Sequence, residues 1–252
     1  MPTADPNRPL EAFLDGVLEM EARYKDTYEA VSKQVPRPRQ LQLRKGLAAD
    51  LAFRIGSEWE LFQHKWHVEA IAAAPDKFIT AQQTSLDAGI KKANVDHFVQ
   101  LLHGGPLSLP ARPKQREVEA LIDHRGFNVT FDSCETWMAE AAKDLDSTYS
   151  SKVQGIVSTS QDSCVLDLLK AARNALAHGS GGSLKRLNEM VRERQPGEKI
   201  GLTGSVNDDL KRDANQIRYV AVYIHGRAPG ASQQRVQKLA QRVREIAEQL
   251  RV

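Results

Sequence analysis

From Pro9 to Lys33, and again from Gln40 to Ala73, the apolar residues fall three or four apart. That spacing paints one face of a helix and cannot serve a strand, whose faces alternate every second residue. Two long helices are therefore predicted, the second with Leu47, Leu51, Ile55, Trp59, Phe62, Trp66 and Ile71 on roughly one stripe. VPRPR at 35–39 separates them, and Pro75 ends the second. One or two shorter helices are expected over 76–103, and a loop in HGGPLSLPARP at 103–113. Short helical pieces should fill 114–153 around GFNVTF, with Trp137 buried. QDSCVLDLLKAARNALA, 161–177, predicts a helix capped by Asp162 or Ser163 and closed by Gly179. SGGS should then turn the chain, 184–194 form a short basic helix, 195–209 a loop and 231–250 a terminal helix. The one strand signal is IRYVAVYI, so a short β element is expected near 217–224 of an otherwise all-α (mostly α) fold.

Length and composition add limits. With 252 residues, 41% hydrophobic and 27% charged, the chain can bury a sizeable core. No repeat at solenoid spacing occurs. Cys134 and Cys164 lack the spacing of a metal site or disulfide framework and read as structural thiols in a reducing compartment. MPTADPNRPLEAF lacks the basic start and apolar core of a leader, and no apolar run reaches the ~20 residues that cross a bilayer. A cytoplasmic protein without a membrane partner is expected. Residues 1–180 carry 21 Lys+Arg against 24 Asp+Glu, whereas 181–252 carry 14 against 8. The net charge thus moves from −3 to +6 along the chain. A basic excess of that kind suits a polyanion, although a solvated helix face gives the same count.

Several chemistries fall away. His64, His67 and Glu60 share a helix face without the HExxH or ExxH spacing of a metal site. No metal and no cofactor is expected. The glycines of HGGP and GSGG lack the Lys-Ser/Thr of a phosphate-binding loop, and no nucleophile elbow accompanies a serine. What is left is RNALAHGS at 173–180: an arginine and an asparagine on an apolar helix, then a histidine on its last turn before glycine. A helix C-terminus suits cations, which accounts for the placement without any chemistry. The spacing alone is cheap, because Arg218 and His225 repeat it loosely in the expected strand. On a regular helix Arg173 and His178 would stand about 140° and about 7.5 Å apart, converging only if the last turn relaxes or the guanidinium reaches across.

LLKAARNALAHG, 168–179, resembles the signature of the HEPN ribonucleases, in which a polar residue follows the arginine and a histidine closes the helix. SEWELF at 57–62 resembles the Trp-Glu-x-Phe of one branch, RiboL-PSP-HEPN, and GFNVTFDSCETW at 126–137 is similar to its middle segment. The likeness covers about 40–180 and implies one HEPN-like helical bundle over 1–252, with 184–252 as a basic helical extension. It also implies a twofold homodimer that brings two motifs into one cleft, RNA as substrate, and cleavage without metal by a 2′-hydroxyl. Arg173 and His178 are then the catalytic pair, with Asn174, Ser180 and Glu60 as substrate-binding residues. Glu60 keeps a second reading, as the structural partner of an arginine. A toxin or defence effector with an antitoxin or other regulatory partner is implied. Ser180 stands where adenylylated members carry tyrosine, so that control does not carry over. Two alternatives remain open: a catalytically silent HEPN helper that holds nucleic acid or nucleotide, and a helical interaction protein whose RNALAHGS is only a capped end.

Overall fold

The computed structural model describes residues 4–123, 130–191, 217–227 and 231–252. They form eleven helices and, among the described residues, no strand. In order these are α1 (Asn7–Gln34), α2 (Arg37–Ala73), α3 (Asp76–Ala93), α4 (Asp96–His103), α5 (Gln115–Ile122), α6 (Cys134–Asp144), α7 (Ser147–Ser158), α8 (Ser160–His178), α9 (Gly181–Val191), α10 (Val220–His225) and α11 (Arg235–Glu248). The fold is all-α. No helix is long and apolar enough to cross a membrane among the described residues.

The chain divides into two compact units. One comprises 1–7, 63–154 and 252; the other comprises 8–62 and 155–251, so α2 contributes to both. In the first unit Trp66 of α2, Trp137 of α6 and Tyr149 of α7 meet edge to face, and α3 packs on α6. Trp137 is fully buried there, as its apolar setting predicts. His64 and His67 are buried polar residues of this unit, and among the described residues no group of three His, Cys, Asp or Glu is arranged to hold a metal. Cys134 and Cys164 are buried thiols, one in each unit.

The second unit carries RNALAHGS. Its α1 and α2 run antiparallel, since Phe13 stacks on Phe62 at 4.8 Å near one end while Tyr28 lies against Arg44 near the other. Pro36 breaks the chain between them, and Gln40 Nε2 donates to the Ser32 and Val35 carbonyls to close the corner. Helix α8 packs against α9, α10 and α11. Its apolar residues Val165, Leu168, Leu169, Ala172 and Ala175 are buried at the three-to-four spacing read from the sequence.

Three local expectations are corrected. Residues 220–225 are helix α10 and not a strand. Both backbone groups of Ile217, which a sheet would have paired, go to one side chain: its N–H donates to Asn188 Oδ1 at 2.8 Å and its carbonyl accepts from Asn188 Nδ2 at 2.9 Å. With no partner strand among the described residues, the remaining backbone bonds close internally, Tyr223 N–H and Val222 N–H on the Tyr219 carbonyl. Second, SGGS is the first turn of α9 and not a separate turn. Ser180 is its cap, with Oγ accepting from Ser183 N–H at 3.2 Å. Third, α8 begins at Ser160, two residues before Asp162, with Thr159 at the cap position. Asp162 is buried and takes Arg242 Nη2 at 2.6 Å and Gln249 Nε2 at 3.0 Å instead. The expected loop at 195–209 and most of GFNVTF lie outside the described residues.

Candidate functional site

Three residues of α2, Phe53, Gly56 and Glu60, recur at steps of three and four and so share one face, and α8 lies on that face. Together they build a slot for Arg173. A methyl group at Gly56 would stand 2.7 Å from Arg173 Cβ and 3.0 Å from its Cγ, so only glycine allows the two helices to approach this closely. The guanidinium then reaches the Phe53 ring, 6.0 Å from its centroid, and pairs with Glu60, Nη2 to Oε2 at 3.2 Å. Its Nη1 donates to Asn174 Oδ1 at 2.9 Å. The two side chains of the pair are 27% and 15% exposed, which leaves an opening to solvent beside a fixed arginine. Arg173 Nε is buried with no acceptor among the described residues.

Helix α8 stays regular to its end. Gly179 adopts the left-handed conformation, φ 58°, and its N–H donates to the Ala175 carbonyl at 3.1 Å. Because the last turn does not relax, His178 stays about 140° around the axis from Arg173. It is exposed, as are Ala177, Gly179 and Ser180. Asn174 lies one turn before His178 on the same face, so it links the arginine slot to the histidine side of the helix.

Arg173, Asn174 and Glu60 are therefore brought together, and His178 and Ser180 are not joined to them within one chain. Glu60 fulfils its second reading, as the partner of an arginine, and that arginine is the one in the motif. The Ser180 hydroxyl is engaged at the start of α9. Phe53 and Gly56 escaped the sequence reading. The available signal was a glycine inside the apolar stripe of a long helix, where it costs about 1 kcal/mol relative to alanine unless close packing requires it.

Gly56→Ala tests the slot. Overpacking should cost about 1–3 kcal/mol and exceed the gain in helix propensity, which is about 1 kcal/mol. The matched control is Gly16→Ala in α1, where an added methyl meets nothing within 4 Å. In urea, the Gly56 variant should unfold earlier than wild type and the Gly16 variant later; a Gly56 variant that also gained stability would deny the contact.

No family model, curated protein or solved structure matches this chain.

Proposed function

We propose that this chain is a metal-independent RNA endonuclease of the HEPN type, acting as a homodimer on RNA as a toxin or defence effector. The observation that carries the reading is the fixed arginine: Arg173, held by Glu60 and Asn174, five residues before an exposed His178 at the C-terminus of α8.

In this reading the guanidinium grips the non-bridging oxygens of the scissile phosphate and stabilises the charge that gathers on them in the transition state. The 2′-oxygen attacks phosphorus as its proton passes to solvent water. The bond from phosphorus to the 5′-oxygen breaks, and His178 of the chain opposite the gripping arginine protonates that oxygen as general acid. Glu60 and Asn174 position Arg173 and need not touch the substrate. The products are a 2′,3′-cyclic phosphate and a free 5′-hydroxyl.

The decisive experiment incubates purified protein with total cellular RNA in excess EDTA and maps the fragment ends. Cleavage should persist and the ends should be cyclic phosphate and 5′-hydroxyl. Fragments with 5′-phosphates that vanish with EDTA would indicate metal-assisted hydrolysis and overturn the site. One observation favours a second reading, the silent helper: Glu60 already balances the charge of Arg173. That protein would retain RNA or nucleotide in the same experiment and cleave nothing.

A further inference from the structure

Away from RNALAHGS, two stretches of the second unit are rich in positive charge, and although Lys33, Arg242 and Arg244 pair with Glu29, Asp162 and Glu21 from outside them, the cations nearest Tyr28 do not. Residues 30–49 contain Lys33, Arg37, Arg39, Arg44 and Lys45 and no carboxylate, and 217–244 contain six arginines and lysines and again none. The fold brings these two stretches together around Tyr28. The Arg44 guanidinium lies 4.6 Å from the Tyr28 ring centroid, and the His225 ring stacks on the same tyrosine at 6.1 Å with 24° between planes. Gln234 Nε2 donates to the Tyr28 hydroxyl at 3.2 Å, and Arg44 donates to Ser32 Oγ, so the cluster is fixed from three helices and a loop. Arg37 stands two turns before Arg44 on the same face of α2.

The cations face one another. Burial and then the charges of Lys45, Arg44 and Arg227 hold His225 below the usual imidazole range, and no negative group is among the causes. Arg44 Nε and His225 Nε2 are buried and bonded to nothing among the described residues. Among those residues none of Arg37, Arg44, Lys45 and Arg227 pairs with a carboxylate. Clustered cations with donors to spare are stabilised by a polyanion, whose successive charges can meet several of them at once as a single free ion cannot.

We propose that Arg44, Lys45, His225 and Arg227, grouped around Tyr28, form a docking site for the phosphodiester backbone of single-stranded RNA, separate from the Arg173 slot. Both sites lie on α2 within one unit. Arg44 and Glu60 are sixteen residues apart, about 24 Å along the helix, which a stacked strand spans in about seven nucleotides. The inference takes only the identity of the polyanion from the ribonuclease reading, and it concerns binding at residues that reading does not use.

The test measures fluorescence anisotropy of a labelled single-stranded RNA of about 12 nucleotides in EDTA at several salt concentrations. The full chain carries His178→Ala so that the probe survives. Adding Lys45→Gln and Arg227→Gln, both at solvent-accessible positions, should weaken binding about tenfold and make the log–log salt slope shallower by about 1.4. Lys91→Gln with Lys92→Gln, an exposed pair in the other unit, should leave both unchanged. An RNA of about four nucleotides, which cannot span the two sites, should bind more weakly than the longer probe and still be weakened by Lys45→Gln with Arg227→Gln. Equal binding by parent and the Lys45/Arg227 variant would overturn the docking site, as would association with phosphatidylglycerol vesicles but not RNA. The two readings fail separately. Tight, Lys45-dependent binding by a wild-type protein that never cuts leaves the docking site and removes the nuclease; cleavage with binding indifferent to Lys45 and Arg227 does the reverse.

Discussion

His178→Ala should leave RNA uncut while the protein melts where wild type does. General acid–base catalysis by one positioned side chain contributes about 10²- to 10⁴-fold, so single-turnover cleavage by the purified variant should fall by at least that much. Stability should move by no more than about 0.5 kcal/mol, because the histidine is exposed and follows the last buried turn of α8. Arg173→Ala should differ in kind. In the proposed reaction its loss removes a phosphate donor, a deficit of about 3–4 kcal/mol in the transition state, and it strands the half-buried Glu60 carboxylate, so the melting temperature should drop as well. Arg173→Lys keeps the charge without the fork that serves Glu60 and Asn174 at once, and should restore stability better than activity. His97→Ala, exposed on α4 in the other unit, is the control. Full cleavage by the His178 or Arg173 variant would dismiss the catalytic pair.

How much of this was legible before the fold was known depends on which interaction fixes each element. The stripes of α1, α2 and α8 span many turns, so their period alone places them, and the observed ends at Asn7, Arg37 and His178 fall within a few residues of expectation. Residues 217–224 had no such length. A short apolar run serves a strand or a helix equally well, and the deciding contact, the Asn188 amide on Ile217, comes from 29 residues away. SGGS misleads in a similar way, since two glycines suggest a turn while a serine cap is enough to start α9 there. Asp162 has the composition of a cap and is taken by Arg242, 80 residues away, for an ion pair. The candidate site divides along the same line. Arg173, Asn174 and His178 are adjacent on one helix and readable as a motif, whereas the slot that orients Arg173 exists only where Gly56 of α2 meets α8.

Mixing two dead proteins should give a live one. Within a chain, Arg173 is tethered to Glu60 and His178 stands on another sector of a helix that does not unwind. In the proposed reaction, when one chain's arginine grips the scissile phosphate, the leaving 5′-oxygen is best protonated by the other chain's histidine. Val165, Leu166, Leu168 and Leu169 are buried in their own unit, so the copies cannot meet along the whole of α8. The exposed end from Ala177 onward, with the Arg173 opening beside it, is what remains for a twofold contact. Suppose Arg173→Ala and His178→Ala chains are mixed in equal amounts and allowed to exchange. About half of the dimers become hybrids, each holding one intact arginine and one intact histidine on opposite chains. Cleavage should therefore appear in the mixture, absent from either parent, and decline on dilution together with the dimer fraction seen by sedimentation. A site completed within a single chain predicts the opposite, since no chain in the mixture carries both groups, and a mixture as inert as its parents would return the chemistry to one chain.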